Sequence, residues 1–264
     1  MEIIICPVAD HVGQIAADKV AKIAAEVGPG VVLGVATGSS PLSTYDGLAK
    51  LIAEGKLDLS QASAFALDEY VGLADGHPES YHEVIRRTVT KPLGLDPSRV
   101  HVPDGSLGGL ASTGERFEQA IAAAGGVDVQ ILGIGANGHI GFNEPTSSLV
   151  SRTRVKTLTD RTRQDNARFF DSLDEVPRHA VTQGLGTIMA ARHVVLVATG
   201  EAKADAIAHV VEGPVTAMCP GSVLQMHQFA TVVIDEAAAL GLRLADYYKR
   251  VYDSLPAWQK LELS

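Results

Sequence analysis

Six short stretches of the chain are almost continuously apolar: EIIIC (2–6), VVLGVA (31–36), ASAFAL (62–67), VDVQILGIG (127–135), HVVLVA (193–198) and ATVVID (230–235). A strand with one wet face alternates apolar and polar residues, whereas a strand packed on both faces has apolar residues at consecutive positions. The pattern therefore predicts strands buried on both sides of a sheet. Between these runs lie longer amphipathic stretches. After Asp10, the residues Val12, Ile15, Ala16, Val20, Ile23 and Ala24 recur at helical spacing. A second helix is expected with Ser40 as its N-cap and Pro41 at its first position. Further helices are expected over 112–124, 160–170 and 201–212.

Strands alternating with helices predict an α/β fold, a doubly wound, Rossmann-like and mostly parallel sheet with helices on both faces. No low-complexity linker or shift in composition divides the chain, so one domain over 1–264 is expected. In such sheets ligands sit beyond the carboxyl ends of the strands, where strand order reverses. Four strands end in polar chemistry, ATGSSP, LDEY, GIGANGH and ATGEAK, and their ends are expected to meet.

Charge narrows the partners. With 31 acidic against 22 basic residues the net charge is −9, which repels nucleic acid and anionic membrane surfaces. An anionic ligand must then be caught by local groups. Cys6 and Cys219 stand in no metal or redox spacing, which suits a reducing compartment. The start of the chain is too acidic and its apolar run too short for a signal peptide, and no run reaches the roughly 18 apolar residues of a membrane helix. A cytoplasmic enzyme is expected, without nucleic-acid or membrane partners.

The chemistry concentrates at four places. In VATGSSPLSTY, the hydroxyls of Thr37, Ser39 and Ser40, the turn at Gly38 and the free amides of a helix start form an anion site. The segment matches neither the dinucleotide fingerprint nor the Walker loop, so no nucleotide is indicated. In ALDEYVGL, Asp68 and Glu69 close a strand, and neighbours in extended chain point to opposite faces. One carboxylate can enter the crevice as a base while the other leaves it. In GIGANGHIGFNEP, His139 sits among glycines with Asn137 and Glu144 nearby, an acid-base unit with partners that fix its tautomer. Arg168 in NARFF and Lys203 in ATGEAK add two cations for a phosphate clamp. The basic run SRTRVK reads equally as a charged strand edge that discourages aggregation. The histidines lack zinc-ligand spacing, so no catalytic metal is expected.

Taken in order, VATGSSPLSTY, LDEYVGL, HPESY, GIGANGHIGFNEP, SSLVSRTRVKTL, NARFF, VPRHAVTQGLGTIM and EAKADAI resemble the glucosamine-6-phosphate deaminase family over nearly the whole chain. The resemblance implies conversion of glucosamine 6-phosphate and water to fructose 6-phosphate and ammonia, without a cofactor. It implies Asp68 as the base at C2, and His139 as the ring-opening group supported by Glu144 and Asn137. Thr37, Gly38, Ser39, Ser40, Arg168 and Lys203 would hold the 6-phosphate. Position 137 is Asn where the best-known branch carries Asp. The resemblance further implies a hexamer activated by N-acetylglucosamine 6-phosphate, bound through Ser147, Arg154, Lys156 and Thr157, and a lid over 155–182. Two other readings remain open: a hydrolase of the 6-phosphogluconolactonase type, and a non-catalytic sugar-phosphate sensor.

Overall fold

The computed structural model describes residues 1–256 and 258–261. Among the described residues ten strands follow along the chain: β1 (Glu2–Cys6), β2 (Val32–Val35), β3 (Ser63–Ala66), β4 (Asp68–Tyr70), β5 (Val100–His101), β6 (Val129–Leu132), β7 (Arg154–Thr157), β8 (His179–Thr182), β9 (His193–Ala198) and β10 (Ala230–Asp235). Seven form one sheet in the order β1-β10-β9-β6-β2-β3-β5, every pair parallel. The chain lays β2, β3 and β5 outward on one side. It then returns to place β6 against β2 and builds β9 and β10 on the other. Strand order thus reverses between β2 and β6, and a crevice opens at their carboxyl ends.

Both faces of this sheet are covered, which is why its strands read as almost unbroken apolar runs. Ile4, Leu33, Val35, Ile131, Val197 and Val233 join Val12, Ile15, Val20 and Leu48 from the helices Ala9–Val27 and Ser39–Ala53 in one core. The alternate positions Ile3, Val32, Leu132, Leu196 and Ile234 join Phe117, Ile207 and Val210 from Leu110–Ala123 and Ala204–Glu212 in the other. Each fully buried Leu, Ile or Val contributes roughly 1.5–3 kcal/mol of burial. A charge at Leu33, which is 0% exposed, would therefore disrupt the sheet at its centre.

The remaining strands form a second sheet, β4-β8-β7, antiparallel throughout. It was not expected from the apolar pattern. One residue joins the two sheets: the Leu67 N–H donates to Val35 O at 2.9 Å, and Leu67 O accepts from Gln183 N at 2.7 Å. Helix ends differ from expectation at four places, the least at Leu110–Ala123, expected over 112–124. The second helix starts at Ser39, with Gly38 rather than Ser40 at its N-cap and Pro41 in its third position. The segment 160–170 divides into a helix, Asp160–Asn166, and a 3-10 turn, Ala167–Phe169. The segment 201–212 divides likewise into a turn, Glu201–Lys203, and the helix Ala204–Glu212. Among the described residues no helix is long and apolar enough to cross a membrane.

Candidate active site

The crevice at the β2/β6 reversal is an open cleft of about 410 Å³, within the range of small-molecule sites. One wall follows β2. The Tyr45 hydroxyl reaches back from the following helix, donating to Ala36 O at 2.8 Å and accepting from Ala36 N at 2.9 Å, and so fixes the start of the loop. Thr37, Gly38, Ser39 and Ser40 then line the cleft. The amides at this helix start have no intrahelical acceptor, and the helix dipole adds partial positive charge, so the loop favours an anion.

Two cations face the same space. Lys203 closes the 3-10 turn after β9, and its Nζ donates to Ile134 O at 2.7 Å. Burial pushes its ammonium below the ordinary lysine value, with Asp165 and Arg168 close enough to add opposing influences. Arg168 lies on the 3-10 turn rather than on a helix, its guanidinium 4.7 Å from the centre of the Phe169 ring. Lys203, Arg168 and the serine loop therefore line one cleft.

Asp68 enters the cleft floor where the chain passes from the large sheet to the small one. It is 5% exposed. Burial, then the charge of Glu69, push its carboxyl well above the usual aspartate value, which makes its ionised form a stronger base. Glu69 turns the other way. Its Oε1 accepts from Tyr70 N at 2.7 Å and Tyr81 N at 2.8 Å, and its Oε2 accepts from His82 N at 2.8 Å. Glu69 thereby satisfies amides at the start of the helix Tyr81–Ile85 and holds the Tyr81 side chain in the cleft wall.

The third wall is the loop after β6. Gly135 N donates to His139 O at 2.9 Å, folding the loop on itself. A Cβ at Gly135 would overlap the His139 ring, so the position requires glycine for the imidazole to reach the cleft. His139 Nδ1 stands 3.6 Å from Glu144 Oε2. Asn137 bonds to the carboxylate and to the loop backbone. Its Nδ2 donates to Glu144 Oε2 at 2.8 Å, and its Oδ1 accepts from the His139 backbone N at 3.2 Å. Glu144 Oε1 accepts from Thr159 Oγ1 at 3.2 Å and from Thr162 Oγ1. Burial alone would raise the Glu144 carboxyl, but His139, Thr162 and Asn137 together hold it down at about 2. Asp68 and His139 thus face the cleft, with Glu144 and Asn137 behind the histidine.

Sequence reasoning missed Tyr81, Thr162, Asp165 and Asn166, which also line the cleft. HPESY carried Tyr81 in plain view, but nothing in its spacing said that Glu69 would anchor it. The four residues set apart as an effector site lie outside the cleft lining. Arg154, Lys156 and Thr157 belong to β7, where alternation puts Arg154 and Lys156 on one face and Thr157 on the other. Arg154 Nη1 donates to Asn143 Oδ1 at 2.7 Å. Ser147 is buried, its N–H bonded to Glu144 O at 3.0 Å.

Known proteins resemble this chain in sequence and in fold. The model of the family glucosamine-6-phosphate isomerases/6-phosphogluconolactonase matches residues 7–233. A glucosamine-6-phosphate deaminase of Arthrobacter sp. (strain FB24) is 58% identical over 261 residues, 99% of this chain and 100% of its own length. One of Cutibacterium acnes (strain DSM 16379 / KPA171202) is 60% identical over 249 residues, 94% of this chain and 95% of its own. Among solved structures, a monomeric glucosamine-6-phosphate deaminase superposes with a TM-score of 0.88 at 40% identity, covering 91% of this chain and 100% of that one. A 6-phosphogluconolactonase from Leishmania guyanensis superposes with a TM-score of 0.68 at 20% identity, over 91% of this chain and 98% of that one, a likeness of fold alone. The chain therefore belongs to the glucosamine-6-phosphate isomerase/6-phosphogluconolactonase family, on its glucosamine-6-phosphate deaminase branch.

Proposed function

We propose that this protein is a glucosamine-6-phosphate deaminase, releasing fructose 6-phosphate and ammonia from glucosamine 6-phosphate and water in the breakdown of N-acetylglucosamine. The observation that carries the reading is the buried Asp68 carboxyl, raised well above its ordinary value, on the floor of a cleft that also presents His139. Removing a proton from carbon needs such a base, and relatives named as this deaminase align over nearly the whole chain.

In this reading the serine loop, Lys203 and Arg168 hold the 6-phosphate, and that remote binding energy positions the reacting carbons. His139 moves a proton from the C1 hydroxyl to the ring oxygen as the sugar opens to its aldehyde. Asp68 removes the C2 proton while the C1 oxygen takes one from the substrate's ammonium group, giving an enol-amine, and then returns its own proton to C1, leaving an iminium at C2. Water adds to C2 and ammonia departs. Glu144, ionised through the working range, supports His139 from behind.

The same proposal takes 1–264 as one domain and 155–182 as a lid, since that segment leaves on β7, carries Arg168 to the cleft and returns on β8. It also takes the enzyme as a cytoplasmic hexamer activated by N-acetylglucosamine 6-phosphate at Ser147, Arg154, Lys156 and Thr157. Arg154 and Lys156 on one face of an edge strand support this, while a solved relative is described as monomeric. Light scattering and kinetics with the activator decide the point: a monomer with activator-independent rates removes it. Lactone hydrolysis would leave Asp68 without a carbon-bound proton to remove, and a sensor would leave the acid-base set without a task.

The test is ammonia and fructose 6-phosphate production from glucosamine 6-phosphate by wild type and Asp68→Asn, with and without N-acetylglucosamine 6-phosphate. Turnover by wild type, lost in the variant while binding persists, upholds the deaminase. No ammonia from wild type under any condition returns the site to the lactonase and sensor readings.

A further inference from the structure

Thr182 occupies the middle strand of the small sheet, opposite Asp68 on one side and Arg154 on the other. Residues directly opposite in antiparallel strands present their side chains to the same face. Thr182 is 0% exposed, and its Oγ1 does two things: it accepts the Phe142 N–H at 3.0 Å and donates to Gln183 O at 3.2 Å. The first bond reaches into the loop that carries His139. Gly141, with φ +55, marks how tight this junction is. A Cβ there would stand 2.9 Å from Thr182 Oγ1 and 3.6 Å from Asp68 Oδ2, so hydroxyl and carboxylate close on the same point of the loop.

The neighbouring residue extends the junction. Gln183 donates its Nε2 to Ala66 O at 3.0 Å, and Gln183 O also accepts from Asn143 Nδ2 at 2.8 Å. Asn143 takes the Arg154 guanidinium on its other end. The strand that bears the base, the loop that bears the histidine and the outer strand are all tied at Thr182 and Gln183.

We propose, resting on the deaminase reading above, that Thr182 is a positioning residue of the reaction, its hydroxyl setting the spacing between Asp68 and the His139 loop. Thr182 does not line the cleft. Its effect is on kcat, because both groups must meet the same sugar at one geometry, and a displacement near 1 Å costs about 100-fold. Phosphate binding, held by the loop after β2, by Lys203 and by Arg168, none of which bonds to Thr182, should be unchanged.

The test compares Thr182→Val, which keeps the shape and removes the hydroxyl, with Thr182→Ser, which keeps the hydroxyl. Ammonia release should fall about 100-fold in Thr182→Val and return to within a few-fold of wild type in Thr182→Ser, with inhibition by inorganic phosphate the same in all three. Amide hydrogen exchange over 139–143 should quicken in the valine variant only. A wild-type kcat in Thr182→Val, even with lowered thermal stability, overturns the proposal, as does a serine variant as slow as the valine one. If wild type itself releases no ammonia, the deaminase reading fails, and the exchange measurement alone decides whether Thr182 holds the loop: unchanged exchange in Thr182→Val overturns that hold.

Discussion

Asn137 gives its side-chain amide to Glu144 Oε2 at 2.8 Å, and so stands behind the carboxylate that faces His139 instead of against the imidazole itself. A neutral donor at this point leaves Glu144 free to stay ionised, with a carboxyl held at about 2. Replacing the amide by a second carboxylate would put two like charges at hydrogen-bond distance, and such a pair retains a shared proton to higher pH.

Asn137→Asp should therefore add a step to the kcat/KM profile where the pair loses that proton, because below it the pair carries the same single negative charge as wild-type Glu144 and above it a second negative charge stands near His139. The measurement is the pH–rate profile of both proteins. Superimposable profiles would mean that residue 137 does not tune the site.

Asp68→Asn should lower kcat by at least about 100-fold, the usual scale of a general base, with little change in substrate affinity. It should also stabilise the fold. The raised carboxyl of Asp68 means that the folded state keeps a proton the unfolded chain has lost, so Asp68 lowers stability as pH rises from the ordinary aspartate value through the folded one. Above that window the asparagine variant should melt about 2–4 °C higher, and the gain should vanish in acid, as scanning calorimetry at several pH values will show.

Glu69→Gln separates charge from architecture. Removing the negative neighbour should let Asp68 ionise at lower pH, shifting the acid limb of kcat/KM downward. The glutamine cannot accept the Tyr81 and His82 amides through both oxygens, so stability should fall by about 1–3 kcal/mol in denaturant titrations. Lost stability with an unmoved profile would show that Glu69 serves only the helix start.

Arg168→Ala and Lys203→Met should each raise KM for glucosamine 6-phosphate by about 10- to 100-fold, the range for a charge-assisted hydrogen bond to a phosphate. Inhibition by inorganic phosphate should weaken in parallel. A variant with unchanged KM places its cation outside the clamp.

The parts legible in the sequence were those with a local signature. The strands β1, β2, β3, β6, β9 and β10 announced themselves because double-sided burial forbids polar interruptions, and the glycine-flanked His139 stood out for the opposite reason. The small sheet was hidden. DEY and HAVT are too short to stand out from loops, and RVKT, which alternates half-buried and exposed residues, signalled a charged strand edge without saying which strand it would pair with. Thr182 and Gln183 were invisible for a further reason: their importance comes from partners about 40 and 117 residues away, which no local pattern encodes. The exchange of Ser40 for Gly38 at the second helix start shows the reverse case, where a favourable serine-proline signal lost to a glycine that already made the turn.

Leu67 bonds to Val35 on one sheet and to Gln183 on the other, with Asp68 next in line. The base thus sits on a seam, and any slippage between the two plates re-aims it together with the histidine loop that Thr182 holds.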